Sequence, residues 1–481
     1  MISKGFIKSS VIYTLAGMLP MASAIILLPL YINHLSTEAY GALVIYLVFT
    51  FLVQIITTFS FDTSIYIHYH EYKDDPRKLS KFISSAFIFM LIIGCGVTLV
   101  LALAGNLLFE LTVPGKKVSF YPYGIASVGA GVFQAIFKVH SSLLQTREKG
   151  ETFFWSNVLS FSLIAISIVV GLQLYPHSLA GPVVGRLVGA IIPCVWVLIR
   201  VFREFGFHFD FAWLRSSFGF NAYTFIYQIQ QWIINQFDRI LMLFSLSLAD
   251  VGIYDFAVKC LIPIELLMNS LHNSFYPKVV GALMGKTDQS SAIEVNRYYH
   301  GLTATVMLLI SGSVLFLPIA IRLFADKPGY QQAIQYIPYL AGIYFFRTMR
   351  LYFAIPYNTL KYTKPLPLIY IAVVAIKVVL MLLLMNELRI YGVIIASMAS
   401  SIVEVYLLKY YMRDRFRYIF NPWKIIIAPV IVMLIVVGIE PFTTPSISLT
   451  VHIFYFIICV GLLWWIYRNE LKLMNPLKMI R

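Results

Sequence analysis

Residues 365–385 read PLPLIYIAVVAIKVVLMLLLM, 21 residues with one ionisable side chain, Lys377. A helix needs about 20 mostly apolar residues to cross a hydrocarbon core of roughly 30 Å. Open strands cannot satisfy their backbone groups in lipid, so the run predicts a transmembrane helix. Similar runs recur along all 481 residues. Fourteen are predicted, near 9–33, 41–66, 82–112, 121–144, 153–174, 180–202, 218–243, 251–275, 298–323, 332–357, 365–385, 390–411, 424–440 and 449–467. The fold class is therefore all-α, a polytopic membrane protein.

Composition agrees. Hydrophobic residues make up 59% of the chain and charged residues 12%, the latter about half the usual quarter. One compact soluble domain could not hide that much apolar surface. An ordinary cytosolic enzyme, a disordered regulator and a secreted disulfide scaffold are excluded. Cys95, Cys194, Cys260 and Cys459 each stand alone in apolar sequence, with no metal spacing and no evident disulfide pair.

The formal charge of +15 does not form a stripe of the kind that binds nucleic acid, and none is expected as a partner. With the N-terminus inside, 25 lysines and arginines fall on inner segments and five, Lys116, Lys117, Arg322, Lys327 and Arg389, on outer ones. That asymmetry predicts an even number of spans and two cytoplasmic termini. The apolar run continues past Ala22-Ser23-Ala24, so the first span is read as retained rather than cleaved. The inner segment around 200–217 divides the chain. Residues 1–203 form an N-terminal six-span lobe, 204–217 a cytoplasmic linker, 218–417 a second six-span lobe, and 418–481 two further spans and a tail.

The start of the second half echoes the first. Lys8-Ser9-Ser10 opens span 1, and Leu35-Ser36 with Tyr40-Gly41 follows it; Arg215-Ser216-Ser217 opens span 7, and Leu246-Ser247 with Gly252-Ile253-Tyr254 follows. A six-span repeat has even parity, so both copies would share one orientation.

With Phe59-Ser60-Phe61-Asp62 closing span 2 and Asp238-Arg239 closing span 7, these motifs resemble the Wzx-type polysaccharide flippases. These belong to the superfamily that includes the MATE exporters and the lipid II flippase. The resemblance implies two six-helix bundles in a V around a central cavity, with spans 13 and 14 added. It implies alternating access and movement of an undecaprenyl-diphosphate-linked oligosaccharide across a bacterial inner membrane. It also implies a monomeric transport unit, with polysaccharide polymerase or chain-length proteins as partners. No cofactor is expected beyond coupling to a proton or sodium gradient.

An ionisable side chain in hydrocarbon costs on the order of 2.5–3.5 kcal/mol on insertion scales, so each needs a reason. Away from the span ends, seven basic residues fall within spans: Lys138, Arg186, Arg239, Lys259, Arg347, Arg350 and Lys377; five acids accompany them: Asp62, Asp238, Asp255, Glu265 and Glu404. In span 7, Asn221, Thr224, Gln228, Gln231, Asn235 and Asp238 recur at helical spacing on one face. Such a stripe faces either other helices or a hydrated cavity. In span 8, Asp255 and Lys259 are an i,i+4 pair, and Pro263 permits a kink. Arg347 and Arg350 share a face in span 10 and need an anionic partner. Lys138 lies near enough to a span end to snorkel, and Arg186 sits among Gly181, Gly185 and Gly189. No local partner accounts for Lys377.

Arg239, Lys259, Arg347 and Arg350, with Arg186 and Lys138, are thus the candidate ligands for a diphosphate. Asn221, Thr224, Gln228, Gln231 and Asn235 are the candidate polar lining. Asp62, Asp238 and Asp255 are candidates for ion coupling, although Asp238 and Asp255 each have a cation close in sequence. A MATE-like exporter of organic cations is the competing expectation, and it would want an acidic cavity. No nucleophile constellation suggests an enzyme, and His68, His70 and Glu71 read as part of a solvated loop.

Overall fold

The structure is a computed structural model describing residues 24–113, 118–285, 289–325, 327–416, 418, 420–439 and 448–473. The first part of the span expected at 9–33, with Lys4 and Lys8-Ser9-Ser10, lies outside these, as do Lys116, Lys117, Lys286, Arg417, Lys478 and Arg481. The described residues contain helices and no strand. They divide into two compact units, Met1–Asp255 and Phe256–Arg481.

The first unit holds α1 (Leu28–His34), α2 (Thr37–Thr58), α3 (Phe61–Tyr72), α4 (Pro76–Thr112), α5 (Tyr123–Thr146), α6 (Gly150–Leu174), α7 (Ala180–Phe205), α8 (Phe211–Met242) and most of α9 (Leu248–Cys260). The second holds the end of α9, α10 (Ile262–Gly285), α11 (Gln289–Phe324), α12 (Ile337–Thr359), α13 (Leu366–Leu388), α14 (Ile390–Met412), α15 (Ala428–Ile439) and α16 (Ser448–Leu473). Eight described helical stretches are long and apolar enough to cross a membrane. The long helices α5, α8, α10 and α12 are not among them. These four carry Lys138, the span 7 stripe, Glu265 and the Arg347/Arg350 pair.

Local chemistry sets the helix ends. Ser36 caps α2 by accepting from the Ala39 N–H at 3.1 Å. Asp75 caps α4 by accepting from the Lys78 N–H at 3.2 Å, and that bond holds its carboxyl below the ordinary carboxylate range. The expected span 41–66 is broken, because Phe59 (φ 41°) and Ser60 (φ 59°) adopt left-handed backbone between α2 and α3. Such φ values cost a non-glycine residue roughly 1–2 kcal/mol, and here they re-aim the chain just before Asp62. Span 8 breaks too, at Leu261 between α9 and α10, two residues before Pro263.

In the first unit α6 and α7 form the most extensive helix pair. Gly181 packs on Gly171, and Gly185 and Gly189 lie against the backbone of Ser167–Ile168 and Leu163–Ile164. Small residues at this spacing let two backbones approach closely. Between α7 and α8, Ser84 and Ser85 of α4 fasten the connection: Ser84 Oγ donates to the Gly206 carbonyl at 2.8 Å, and Ser85 Oγ accepts from the Asp210 N–H at 2.9 Å.

The short repeat found in the sequence meets itself in space. Ser247 caps α9 as Ser36 caps α2, accepting from the Asp250 N–H at 3.2 Å. Five residues beyond each serine stand Gly41 and Gly252, and the contacts are reciprocal. A methyl group on Gly41 would lie 1.9 Å from the Leu248 carbonyl oxygen, and one on Gly252 would lie 2.2 Å from that of Thr37. Thr37 and Leu248 hold equivalent places in the repeat, so α2 and α9 cross as like elements on glycine.

Gly41→Ala and Gly252→Ala should each force this crossing apart at about 1–3 kcal/mol. Thermal unfolding of the purified protein in detergent should show a lowered midpoint for both. Gly96→Ala and Gly219→Ala, where no atom lies within 4 Å of the added methyl, should hold or raise it.

Candidate functional site

Three predicted residues from three helices of the first unit converge. Asp62 is the second residue of α3, where unpaired N–H groups favour a carboxylate. Its Oδ2 lies 2.7 Å from Lys138 Nζ of α5, and its Oδ1 accepts from Gln228 Nε2 of α8 at 3.3 Å. Asp62 is buried, whereas the Lys138 side chain keeps 41% of its surface, so the pair opens on its cationic side. Near it along the same helices, or just before α3, stand Thr57, Ser60, Ser64, Gln134, Asn221 and Gln231. Each has a buried polar atom with no hydrogen-bond partner among the described residues, as does Gln228 Oε1. Buried polar atoms seek partners, which water or a polar ligand supplies. Asp62 was expected as an ion carrier and Lys138 as a phosphate ligand; the fold makes them partners.

Arg239 is differently placed. Its Nη1 lies 2.6 Å from Asp238 Oδ1 and its Nη2 lies 3.3 Å from Asp255 Oδ1. Nη1 also donates to the Asn235 carbonyl at 2.6 Å. Tyr40 OH donates to Asp255 Oδ2 at 3.0 Å, and Tyr254 OH donates to Asp238 Oδ2 at 2.9 Å. Arg239 is 5% exposed. A guanidinium that is buried and faced by two carboxylates ties α2, α8 and α9 together and has little capacity left for an anionic ligand. Asp238 and Asp255 are held by the same cation. Tyr40 and Tyr254, absent from the predicted set, complete the network; their places in the repeat were the only sequence signal.

In the second unit the arginine pair of α12 finds its anions. Arg347 Nη1 lies 3.0 Å from Glu265 Oε2 of α10, and Arg350 Nη1 lies 3.7 Å from Glu404 Oε1 of α14. The Arg347 guanidinium also lies 5.1 Å from the Tyr344 ring centroid. The two arginine side chains keep 27% and 30% of their surface, against 7% for that of Glu404. This arrangement presents two partly exposed guanidinium groups one helical turn apart, each facing a carboxylate. Planar forks at that spacing suit the oxygens of a diphosphate.

The other predicted residues are dispersed. Arg186 is half-buried beside Tyr31 on α1. Lys259 is half-buried on α9. Thr224 Oγ1 donates to the Phe220 carbonyl of its own helix at 2.8 Å, and Asn235 is exposed. Lys377 is buried on α13. Sequence reasoning missed one further cluster: Glu470 of α16 takes Lys424 Nζ at 2.6 Å and has His300 Nδ1 of α11 at 3.5 Å. Only tertiary structure joins positions so far apart in the chain.

Comparison with known proteins follows the same lines. A family model described as "Polysaccharide biosynthesis protein" matches residues 6–280. A protein of the Lsg locus of Haemophilus influenzae is 22% identical over 290 residues, covering 58% of this chain and 67% of that protein. Among solved structures, the lipid II flippase MurJ in an inward closed conformation is similar with a TM-score of 0.73 at 16% identity, covering 99% of this chain and 100% of that one. An inward-facing multidrug resistance MATE transporter of the MOP superfamily is similar with a TM-score of 0.65 at 13% identity, covering 83% and 95%. The fold is therefore the one these transporters share, and the chain belongs to the polysaccharide biosynthesis protein family.

Proposed function

We propose that this multi-pass membrane protein moves a lipid-linked oligosaccharide, joined to its polyprenyl tail through a diphosphate, from the cytoplasmic to the outer leaflet of a bacterial inner membrane by alternating access. It is a transporter and not an enzyme. The observation that carries the reading is the Arg347/Arg350 pair, two partly exposed guanidinium groups one turn apart on one helix. Family membership supports the polysaccharide part of the reading, and likeness to MurJ supports the lipid-linked part.

The chemistry follows from what must cross. The tail can stay in hydrocarbon, but the diphosphate cannot enter it bare. Arg347 and Arg350 take the diphosphate oxygens in charge-assisted hydrogen bonds. In the first unit, the neutral amides of Asn221, Gln228 and Gln231 have unpaired buried atoms with the capacity to bond sugar hydroxyls. Arg239 is assigned a structural part and not a substrate contact.

The competing reading is export of amphipathic cations, favoured by likeness to the MATE transporter. The half-exposed charges of α12 are cationic, which opposes it. In proteoliposomes, a fluorescent short-chain polyprenyl-diphosphate sugar should be flipped, while cationic dyes should not be exported. Dye export without lipid movement would reverse the assignment.

Arg347→Gln with Arg350→Gln should lower flipping by about tenfold or more, the equivalent of losing about one charged hydrogen bond; protein yield should hold, and Lys at both positions should restore part of the rate. Lys138→Met should destabilise the fold by roughly 1–2 kcal/mol, because it strips the buried Asp62 of its cation while Lys138 itself is partly solvated. Adding Asp62→Asn should restore the unfolding midpoint but not transport.

A further inference from the structure

The two arginines of α12 are held unequally. Glu265, the partner of Arg347 at 3.0 Å, keeps 28% of its side-chain surface. Glu404 keeps 7%, its ion pair with Arg350 is stretched to 3.7 Å, and its Oε1 has no hydrogen-bond donor among the described residues. Among the described residues this buried carboxylate has its ion pair with Arg350 only, and holds it loosely. Two helices pack against α14, namely α12 and α13. From α12, Arg347 stands near it beside Arg350. The buried face of α13 carries Lys377, which has interactions of its own. On α14 itself Lys409 is exposed, five residues on. Across the site His272 of α10 lies near Arg350, its Nδ1 paired with the Tyr299 hydroxyl at 3.2 Å.

Diphosphate binding, on which this inference rests, changes that balance. Both guanidinium groups turn to phosphate oxygens and two carboxylates lose their cations. Glu265 keeps 28% of its side-chain surface and reaches water. Glu404 keeps only 7% of its side-chain surface, and a carboxylate so far buried neutralises rather than persists without a cation.

We infer that Glu404 is a proton-binding site linked to the diphosphate site: Arg350 exchanges Glu404 for phosphate, and Glu404 takes up a proton as it is released. One O–H bond forms on the carboxylate with a proton from water, and no covalent bond of the lipid changes. Release of the lipid returns Arg350 to Glu404 and sends the proton back to solvent. The loaded site thus carries one negative charge less than the lipid alone would give it.

Calorimetric titration of the full chain in lipid nanodiscs tests this with a short-chain polyprenyl-diphosphate N-acetylglucosamine. Each phosphate of that probe has one ester and one anhydride linkage, which leaves a single strongly acidic oxygen that exchanges no proton near neutrality. Titrations in two buffers of different ionisation enthalpy count the protons taken up. About one proton per bound lipid is expected, with affinity rising up to about tenfold for each unit fall in pH where Glu404 is ionised in the empty protein. Glu404→Gln should bind at least as tightly, with no proton uptake and no pH slope; Glu265→Gln should keep the uptake. A packing role for Glu404 would not flatten the pH profile. Tight binding without proton uptake, or a Glu404→Gln protein that keeps the wild-type slope, overturns the linkage and leaves the arginine reading standing. Failure of the folded wild type to bind the probe overturns the arginine reading, and the linkage falls with it. The buffer comparison on the wild type needs no variant to fold.

Discussion

A charge carried into hydrocarbon has no water to solvate it, and it stays there only if protein supplies the missing partner. The pairs built by this chain show how differently that demand can be met. Arg239 is closed in by Asp238, Asp255 and the backbone, with two tyrosine hydroxyls bonding the same carboxylates. Lys138 and Arg347 each have one close acid and keep a share of open surface. Arg350 has one distant acid. Enclosure with saturated partners yields a structural joint. Partial exposure yields a place where a ligand can compete.

The same demand sorts the helices. Those rich in Leu, Ile and Val present apolar side chains outward, as α4 does with Leu99, Leu103 and Leu111. The helices carrying Lys138, Gln228 and Arg347 are less apolar, and each of these side chains meets a carboxylate within its own unit. Glycine handles the remaining close approaches. At Gly41 and Gly252 the α2 and α9 backbones come so near that any side chain would collide with a carbonyl. The reciprocity of these contacts gives the short Leu-Ser repeat a physical purpose, since like segments pack by like geometry.

The chain belongs to a polysaccharide biosynthesis family and shares the fold of the MurJ and MATE transporters. Within that frame the sign of the accessible charge matters more than the total. The tally of basic against acidic positions was nearly even, and most pairs cancel. What distinguishes the α12 pair is that two partly exposed guanidinium groups stand one turn apart, with the Glu404 carboxylate beside them buried.

Hydropathy alone made the membrane class and the helical fold legible, because the length of an apolar run is a local property fixed by bilayer thickness. Periodicity marked the Asn221–Asp238 stripe and the Arg347/Arg350 face, since residues three and four apart on a helix are neighbours whatever surrounds them. It could not say which acid each base would meet. Asp62 with Lys138, and Arg350 with Glu404, are 76 and 54 positions apart, and only helix packing brings them within reach. Nor could it show that Arg239 is enclosed while Arg350 is not, or that two left-handed residues would break the second span before Asp62. Pairing, depth and strain are properties of several helices at once, and a pattern read along one chain segment carries no term for them.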